Sequence, residues 1–267
     1  MGADMKNLRL RIRSVDSTLH LTKAMELVAS SKIRRANDAM FKSRDYAEAA
    51  GNMISLLSAS PDCKRHPCFS VPGEGPVRLI VIAGDRGLCG GYNAGIFRLM
   101  REYPDAEVIP IGKRACEHYH QPIVSSEAFT RQEGYSLAAE LFRDFMEGKF
   151  SRLGIVSTKY VSMMTQMPEL TWLLPFALPE KKMQSGILFE PGEAEILEAA
   201  IPEYISGCIL AAVRESFACE VAARRMAMDS AGKNAQQMIS DLTLSYNRAR
   251  QSAITQEITE IVAGSGG

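Results

Sequence analysis

The densest set of metal-ligating residue types in the chain is the segment CKRHPC, in which two cysteines bracket a histidine. Cys63, His66 and Cys68 supply three ligands, whereas a structural zinc site needs four at matched spacing. The chain has six cysteines, and none of them forms a C-x-x-C pair. The sequence therefore predicts free thiols in a surface loop and a reducing environment, and it predicts no metal site.

The densest glycine cluster is VIAGDRGLCGGYNAGIF, which stands between a predicted strand and a predicted helix, where nucleotides often bind. Its spacing fits neither the G-x-G-x-x-G fingerprint nor a P-loop, which would need a following Gly-Lys-Ser/Thr. The alternative is a tight turn that needs positive φ and a close approach of helix to strand. The second interpretation is favoured, so no nucleotide or other cofactor is expected.

No catalytic constellation is evident in the local sequence. The four histidines are scattered, and His118 and His120 lie two residues apart, so they face different sides of a short helix. Lys+Arg and Asp+Glu are both 31, which gives no global charge that would favour nucleic acid or an anionic membrane. No unbroken apolar run approaches the roughly 18 residues that a membrane span needs.

The first region, from about Asp4 to Ser58, contains no proline and one glycine. Leu8, Ile12, Val15 and Leu19 step by four, three and four, which is the pattern of a coiled-coil seam. The helix is basic, with ten Lys and Arg between residues 6 and 44. A nucleic-acid arm is one interpretation, but no aromatic residue interrupts the basic run before Phe41, so a protein partner is favoured.

The middle region alternates apolar strands with amphipathic helices. VRLIVIAG reads as a strand buried on both faces, AEVIPIG and RLGIVSTKYV as further strands, and YSLAAELFRDFMEG as a helix. Such alternation predicts a mainly parallel sheet with helices on both faces, followed by extended segments at TWLLPFALPE and SGILFEPGE.

The third region predicts a second very long helix. After Pro202 nothing forbids a continuous helix, and four-three steps from Ile205 lead through Ser216 and Cys219 to Ser230. Met238, Leu242, Ser245, Ala249 and Ala253 continue the seam with a shift of phase.

Two such helices, one at each end of the chain, cannot both bury a face on one sheet domain. The sequence therefore predicts an α/β fold whose long N- and C-terminal helices form an antiparallel coiled coil, with a central Rossmann-like domain. The expected divisions are residues 1–58 for the first helix, 59–76 for a linker, 77–191 for the α/β domain and 192–267 for the second helix.

The last residues, QSAITQEITEIVAGSGG, keep an amphipathic pattern almost to the end, where a chain usually frays. Ile254, Ile258 and Ile261 line one side of a helix. The pattern alone leaves open why an amphipathic helix should continue to the last residues.

Three segments closely resemble signature stretches of the gamma subunit of F-type ATP synthases, in the family's order. They are RIRSVDSTLHLTKAMELVASSKIRRA, DRGLCGGYN and DLTLSYNRARQSAITQEITEIVAG. The resemblance covers essentially the whole chain. It implies a non-catalytic rotor, whose shaft enters a ring of alternating alpha and beta subunits and whose foot lies beside the epsilon subunit and the c-ring. It also implies that nucleotide sites lie on other subunits and that contact with the membrane is indirect, through the c-ring. A peripheral location at the cytoplasmic face of a bacterial membrane is expected, since the dithiol insertion of chloroplast members is not visible.

The resemblance also implies site residues. Contacts with the alpha–beta ring are implied for Lys23, Met25, Arg224, Arg225, Gln251, Thr255, Glu257, Ile258 and Ile261. Contacts with epsilon and the c-ring are implied for Leu188, Phe189, Glu190 and Pro191. Where the family commonly has a methionine, this chain has Arg225, so either Arg224 or Arg225 can make the contact with beta.

Two other classes of function compete with the rotor. One is a nucleotide-dependent α/β enzyme with helical oligomerisation arms, which would bind ATP or NAD. The other is a coiled-coil adaptor or nucleic-acid binder that uses the basic arm, which would bind duplex DNA with steep salt dependence. Neither accounts for the apolar end of the last helix.

Overall fold

A computed structural model describes residues 2–69, 73, 75–176 and 189–264. In chain order the helices and strands are α1 (Gly2–Leu57), β1 (Val77–Ile82), α2 (Tyr92–Met100), β2 (Glu107–Ile111), α3 (Lys113–His118), α4 (Arg131–Met146), β3 (Arg152–Tyr160), β4 (Gln166–Leu174) and α5 (Glu193–Gly264). Two short 3-10 turns, Cys63–Arg65 and Pro67–Phe69, follow α1. The two predicted long helices are confirmed.

The four described strands form one mixed sheet in the order β2-β1-β3-β4. β1 pairs in parallel with β2 and with β3, so that Leu79 lies opposite Val108 on one side and Gly154 on the other. β4 pairs antiparallel with β3. The predicted α/β class is therefore confirmed. The strand containing TWLL begins earlier than expected, at Gln166, and most of SGILFEPGE lies outside the described residues.

β1 is buried on both faces, as its unbroken apolar run predicts. Ile80 and Ile82 belong to the larger core, which also takes side chains from α4 and α5. Leu79 and Val81 point to the other face and pack with residues of α2 such as Ile96. Helices cover both faces because alternate residues of a strand point to opposite sides of the sheet.

The amino-terminal half of α5 is a core helix. Leu197, Ile201, Ile205 and Ile209 are fully buried in the larger cluster. The helix contains an 18-residue stretch that is apolar enough, by length and composition, to cross a bilayer, and half of that stretch is buried. Charged residues interrupt this stretch, so it is not an unbroken apolar run.

α5 begins at Glu193 and continues through Pro202. A proline inside a helix removes one backbone hydrogen bond. Pro202 is itself buried beside Ile201, so packing offsets that loss.

The chain divides into two compact units. Unit 1 comprises Met1–Ser31 with Arg224–Gly267, and unit 2 comprises Lys32–Ala223. Both divisions fall within long helices, whereas the expected boundaries after residues 58, 76 and 191 follow the ends of secondary structure. Those domain boundaries remain a prediction.

Candidate interaction surfaces

Unit 1 is an antiparallel pair formed by the first part of α1 and the last part of α5. Arg9 Nη2 donates to Tyr246 Oη at 2.6 Å, and the Arg9 guanidinium lies 5.5 Å from the centre of the Tyr246 ring. Nearer the other end, a Cβ added at Gly232 would lie 3.6 Å from Thr22 Oγ1 and 3.9 Å from Leu19 Cδ1. Early residues of α1 therefore meet late residues of α5, as the antiparallel coiled coil requires.

The seam of this pair repeats in four-three steps on both helices. Its buried or half-buried residues on α1 are Leu8, Ile12, Val15, Leu19, Thr22 and Ala29. On α5 they are Met228, Gly232, Ala235, Ile239, Leu242, Tyr246, Ala249 and Ala253. Leu8, Ile12, Val15 and Leu19 agree with the predicted seam, and half of the seam residues on α5 are glycine or alanine.

The predicted phase of the α5 seam was wrong at three positions. Ser230, Met238 and Ser245 are exposed, whereas Ile239 and Tyr246 occupy the seam. A straight helix drifts by about 20° per heptad relative to a strict seven-residue repeat, so stepping on from Ile205 loses the face after three or four heptads.

The last turns of α5 form an exposed apolar stripe. Ala253 is the final buried residue, and every described residue after it is exposed. Ile254, Ile258 and Ile261 lie on one side of the helix at steps of four and three, with exposed fractions of 47%, 56% and 70%. The contacts of Arg9 and Gly232 set a register in which Gly2 lies opposite residues near Ala253, so no described residue of α1 faces this stripe. We call Ile254, Ile258, Ile261 and Val262 the apolar tip.

The polar residues expected to contact a surrounding ring lie on the surface of unit 1. Lys23 is exposed, and Met25 is half-buried. Arg224 and Arg225 are both half-buried, and each has an electrostatic or hydrogen-bonding partner. The three expected polar residues near the tip, Gln251, Thr255 and Glu257, are all exposed.

The second expected contact segment lies just before α5. Phe189 packs against the larger core, whereas Glu190 and Pro191 are exposed. Leu188 lies outside the described residues. Within unit 2, Glu190 and Pro191 therefore offer an accessible surface that a core residue anchors.

The loop that follows β1, which carries the motif DRGLCGGYN, is bound to the rest of unit 2 through two carboxylates. The Asp85 carboxylate accepts hydrogen bonds from the backbone N–H groups of Lys113, Ser126 and Glu127 at 2.9–3.0 Å and from the Ser125 hydroxyl. Burial disfavours the charged form, but these hydrogen bonds outweigh it and lower the pKa of Asp85 below its ordinary value. Asp85 thus ties the loop after β1 to the start of α3 and to the segment between α3 and α4.

The second carboxylate is Glu220 of α5, which is buried. Its oxygens accept from the backbone N–H groups of Asp85 at 3.2 Å and of Arg86 at 3.3 Å. A Cβ at Gly84 would lie 2.7 Å from Glu220 Cδ, so the close approach requires glycine there. The sequence predicted a tight turn and close packing in this motif, but it did not identify Glu220, which lies about 135 residues away.

The glycines of this loop do not share one role. Gly90 has a φ of 60°, as a turn with positive φ requires, but Leu88 also has a φ of 58° and is exposed. Such a conformation is uncommon for a branched, non-glycine residue. Among the glycines of the cluster, the close approach is made at Gly84 and at Gly95, where a Cβ would lie 2.8 Å from Pro168.

The thiols and histidines described by the structure form no site of evident chemistry. No disulfide joins the six described cysteines. The expectation that Cys63 and Cys68 lie in a surface loop was wrong, because both are buried in the larger core. Burial raises the pKa of Cys68 to about 12, which disfavours the reactive thiolate. Among the described residues there is no group of three or more His, Cys, Asp and Glu side chains that could hold a metal ion. His118 stacks on Phe97 with ring centres 4.1 Å apart.

Comparisons with known proteins agree with this arrangement. The ATP synthase family model matches residues 4–266. The chain is 36% identical to the ATP synthase gamma chain of Moorella thermoacetica over 276 residues, with 98% of each chain covered. It is 37% identical to the ATP synthase gamma chain of Ruminococcus albus, again with 98% of each covered.

Solved structures share the fold at lower identity. A chain in the cryo-EM structure of the Euglena gracilis mitochondrial ATP synthase (OSCP/F1/c-ring, rotational state 3) has a TM-score of 0.69 at 18% identity, with 99% of this chain and 94% of that chain covered. A chain of the Tetrahymena thermophila mitochondrial ATP synthase central stalk and c-ring has a TM-score of 0.61 at 19% identity, with 79% and 99% covered. By the full-length match to the family model and to its bacterial relatives, the chain belongs to the ATP synthase family, among its gamma chains.

Proposed function

We propose that this chain is the non-catalytic rotor of an F-type ATP synthase and that it transmits torque between an ion-driven c-ring and a ring of alternating alpha and beta subunits. The observation that carries this proposal is the apolar tip, which continues past the described residues of α1 with its isoleucines exposed. A chain that belongs to the gamma chains and exposes such a stripe is suited to a surrounding apolar collar.

The surface of unit 1 suits a contact that must form and release as it turns. Lys23, Gln251, Thr255 and Glu257 present exposed polar groups, and such groups make only weak ion pairs and hydrogen bonds in water. The apolar tip adds contacts that depend little on orientation, because burial of apolar area is not directional. Together these residues, with Met25, either Arg224 or Arg225, and the tip, form the surface that we assign to the alpha–beta ring.

The mechanism follows from the asymmetry of the helix pair. A single pair of helices inside a ring of three equivalent sites presents a different side to each site. Shifting one site from about 1:99 to 99:1 between two conformations takes roughly 5.5 kcal/mol of differential contact energy. Many modest contacts along two long helices can supply this without one dominant residue.

We further propose that the catalytic nucleotide sites lie on other subunits. In open α/β sheets, ligands usually bind outside the carboxyl ends of the strands. In this chain the backbone N–H groups of Asp85 and Arg86, just after β1, already donate to the Glu220 carboxylate. A buried internal anion therefore stands where a bound phosphate would otherwise accept those hydrogen bonds.

The segment Phe189–Pro191, together with Leu188, is assigned to the contact with epsilon and the c-ring. The exposed Glu190 and Pro191 and the packed Phe189 support an accessible, anchored surface. With bacterial gamma chains as relatives, we place the chain at the cytoplasmic face of a bacterial cell membrane, held there through the c-ring.

Reconstitution tests the proposal. Alpha and beta subunits from the same source would be mixed with and without this chain, and ATP hydrolysis would be measured. We expect rapid hydrolysis only in the mixture that contains the chain, and no calorimetric binding of ATP or NAD to the chain alone. Nucleotide binding by the isolated chain, or equal hydrolysis without it, would overturn the assignment.

A further inference from the structure

The loop Gly84–Arg86 receives connections from both long helices near the ends of unit 2. Unit 2 begins at Lys32 on α1 and ends at Ala223 on α5. Glu220, three residues before that end, accepts from the backbone N–H groups of Asp85 and Arg86. On the other helix, Lys32 Nζ lies 2.7 Å from Glu127 Oε1.

Glu127, the partner of Lys32 on α1, also contacts the loop Gly84–Arg86. Arg86 Nη2 lies 3.1 Å from Glu127 Oε2, so Glu127 bridges Lys32 and Arg86. The backbone N–H of Glu127 donates in turn to the Asp85 carboxylate at 3.0 Å. The loop therefore joins α1 through Glu127 and α5 through Glu220.

The two connections differ in character. Glu220 is buried, and it reaches the loop only because Gly84 has no side chain. Hydrogen bonds from backbone N–H groups to a buried carboxylate are among the stronger ones in proteins. The Lys32–Glu127–Arg86 bridge is partly exposed and is weakened by salt. The connection to α5 is therefore the one that solvent and salt weaken least.

We infer that Glu220 and the loop Gly84–Arg86 form a joint that resists rotation of α5 relative to the α/β domain. The Lys32–Glu127–Arg86 bridge is the weaker joint of the same kind on α1. Glu220 is a positioning residue in the joint on α5, and two amides of the motif DRGLCGGYN, those of Asp85 and Arg86, donate to its carboxylate. The inference rests on the proposed rotor function, because only a chain that carries torque needs resistance to twisting where the helix meets the domain.

Two substitutions break the joint from opposite sides. Glu220→Gln keeps the side-chain shape but removes the charge and leaves one oxygen, rather than two, to accept from the N–H groups of Asp85 and Arg86. Gly84→Ala places a methyl group where the Glu220 carboxylate lies. Matched controls are Glu140→Gln, at an exposed glutamate of α4, and Gly87→Ala, where the nearest atom to the added Cβ is 3.5 Å away.

The first measurement is amide hydrogen exchange in the isolated full chain. Losing a hydrogen bond to a charged group should speed amide exchange by about 10- to 100-fold, at Asp85 and Arg86 in Gly84→Ala and at one or both of them in Glu220→Gln. The amide of Glu127, which donates to Asp85, should change much less, and neither control should change the exchange of Asp85 or Arg86. Unchanged exchange at those two amides in Glu220→Gln would overturn the inference.

The second measurement is the torsional stiffness of the assembled complex. A bead attached to unit 2 reports angular fluctuations while ATP hydrolysis is stalled, and stiffness is the inverse of their variance. We expect larger variance in Glu220→Gln and Gly84→Ala than in their controls, with unchanged ATP hydrolysis by unloaded complexes. Equal variance in a complex that rotates normally would refute the joint alone. A wild-type complex that does not rotate with ATP would instead refute the proposed function.

Discussion

Replacing two isoleucines of the apolar tip should weaken assembly without weakening the chain itself. The change is Ile258→Gln with Ile261→Gln, which keeps helix-forming side chains of similar length. The two isoleucines are 56% and 70% exposed in the free chain. Full burial of an isoleucine is worth about 1.5–3 kcal/mol, so roughly 1–2 kcal/mol per residue is available on entering an apolar collar.

For the pair, about 2–4 kcal/mol corresponds to a loss of affinity of roughly 30- to 1,000-fold. The assay is a titration of fluorescently labelled chain with alpha and beta subunits, accompanied by urea unfolding of the isolated chain. The free energy of unfolding should stay within about 0.5 kcal/mol of wild type, because the altered side chains are exposed.

The matched control is Ile123→Gln, an isoleucine of unit 2 that is 65% exposed. It should leave the affinity for alpha and beta unchanged, because we assign no ring contact to it. The reasoning is refuted if the tip variant binds as tightly as this control. It is also refuted if the tip variant unfolds much more easily, since the tip would then pack within the chain.

Three further predictions concern stability and are checked by unfolding of the isolated chain. Gly232→Ala should stabilise unit 1 by roughly 1 kcal/mol, because alanine favours helix and its Cβ meets Thr22 at an ordinary distance of 3.6 Å; a lower melting temperature would contradict the packing. Met40→Ala should cost about 2–5 kcal/mol because Met40 is fully buried, whereas Met53→Ala on the same helix, where the side chain is partly exposed, should cost much less; equal costs would contradict the assigned faces of α1. Asp85 has a lowered pKa when folded, so its contribution to stability is present above its unfolded pKa of about 4 and is lost as the pH falls through the folded pKa. Asp85→Asn should therefore lower the free energy of unfolding at neutral pH and make it fall less as the pH is lowered. An unchanged dependence of this free energy on pH would contradict the hydrogen bonds to Asp85.

The elements that the sequence predicted best are those with long, regular patterns. Leu8, Ile12, Val15 and Leu19 marked a helix face that the structure buries or half-buries. The unbroken run in β1 predicted a strand covered on both sides, because only apolar side chains can occupy both faces of a buried strand. The isoleucines near the end of α5 predicted an amphipathic end, and the structure shows that helix with its apolar side exposed.

The sequence predictions failed where contacts between distant parts of the chain decide which residues are buried. Ile239 and Tyr246, rather than Met238 and Ser245, lie in the seam because the face of a straight helix drifts against a strict seven-residue repeat, and packing against α1 sets the new phase. Glu220 carries no local signal, since its partners lie at the other end of the α/β domain's sequence. A buried carboxylate in a helix with apolar neighbours is visible only once the fold brings the loop after β1 to it.

The most direct test of the central claim is a rotation assay on the assembled complex. Alpha and beta subunits would be fixed to a surface, and a bead would be attached to unit 2 of this chain through a biotinylated cysteine at exposed Ile123. The rotor assignment predicts unidirectional rotation that requires ATP and pauses once for each catalytic site in a turn. A bead that shows only random angular motion, in a complex that hydrolyses ATP at full rate, would contradict it.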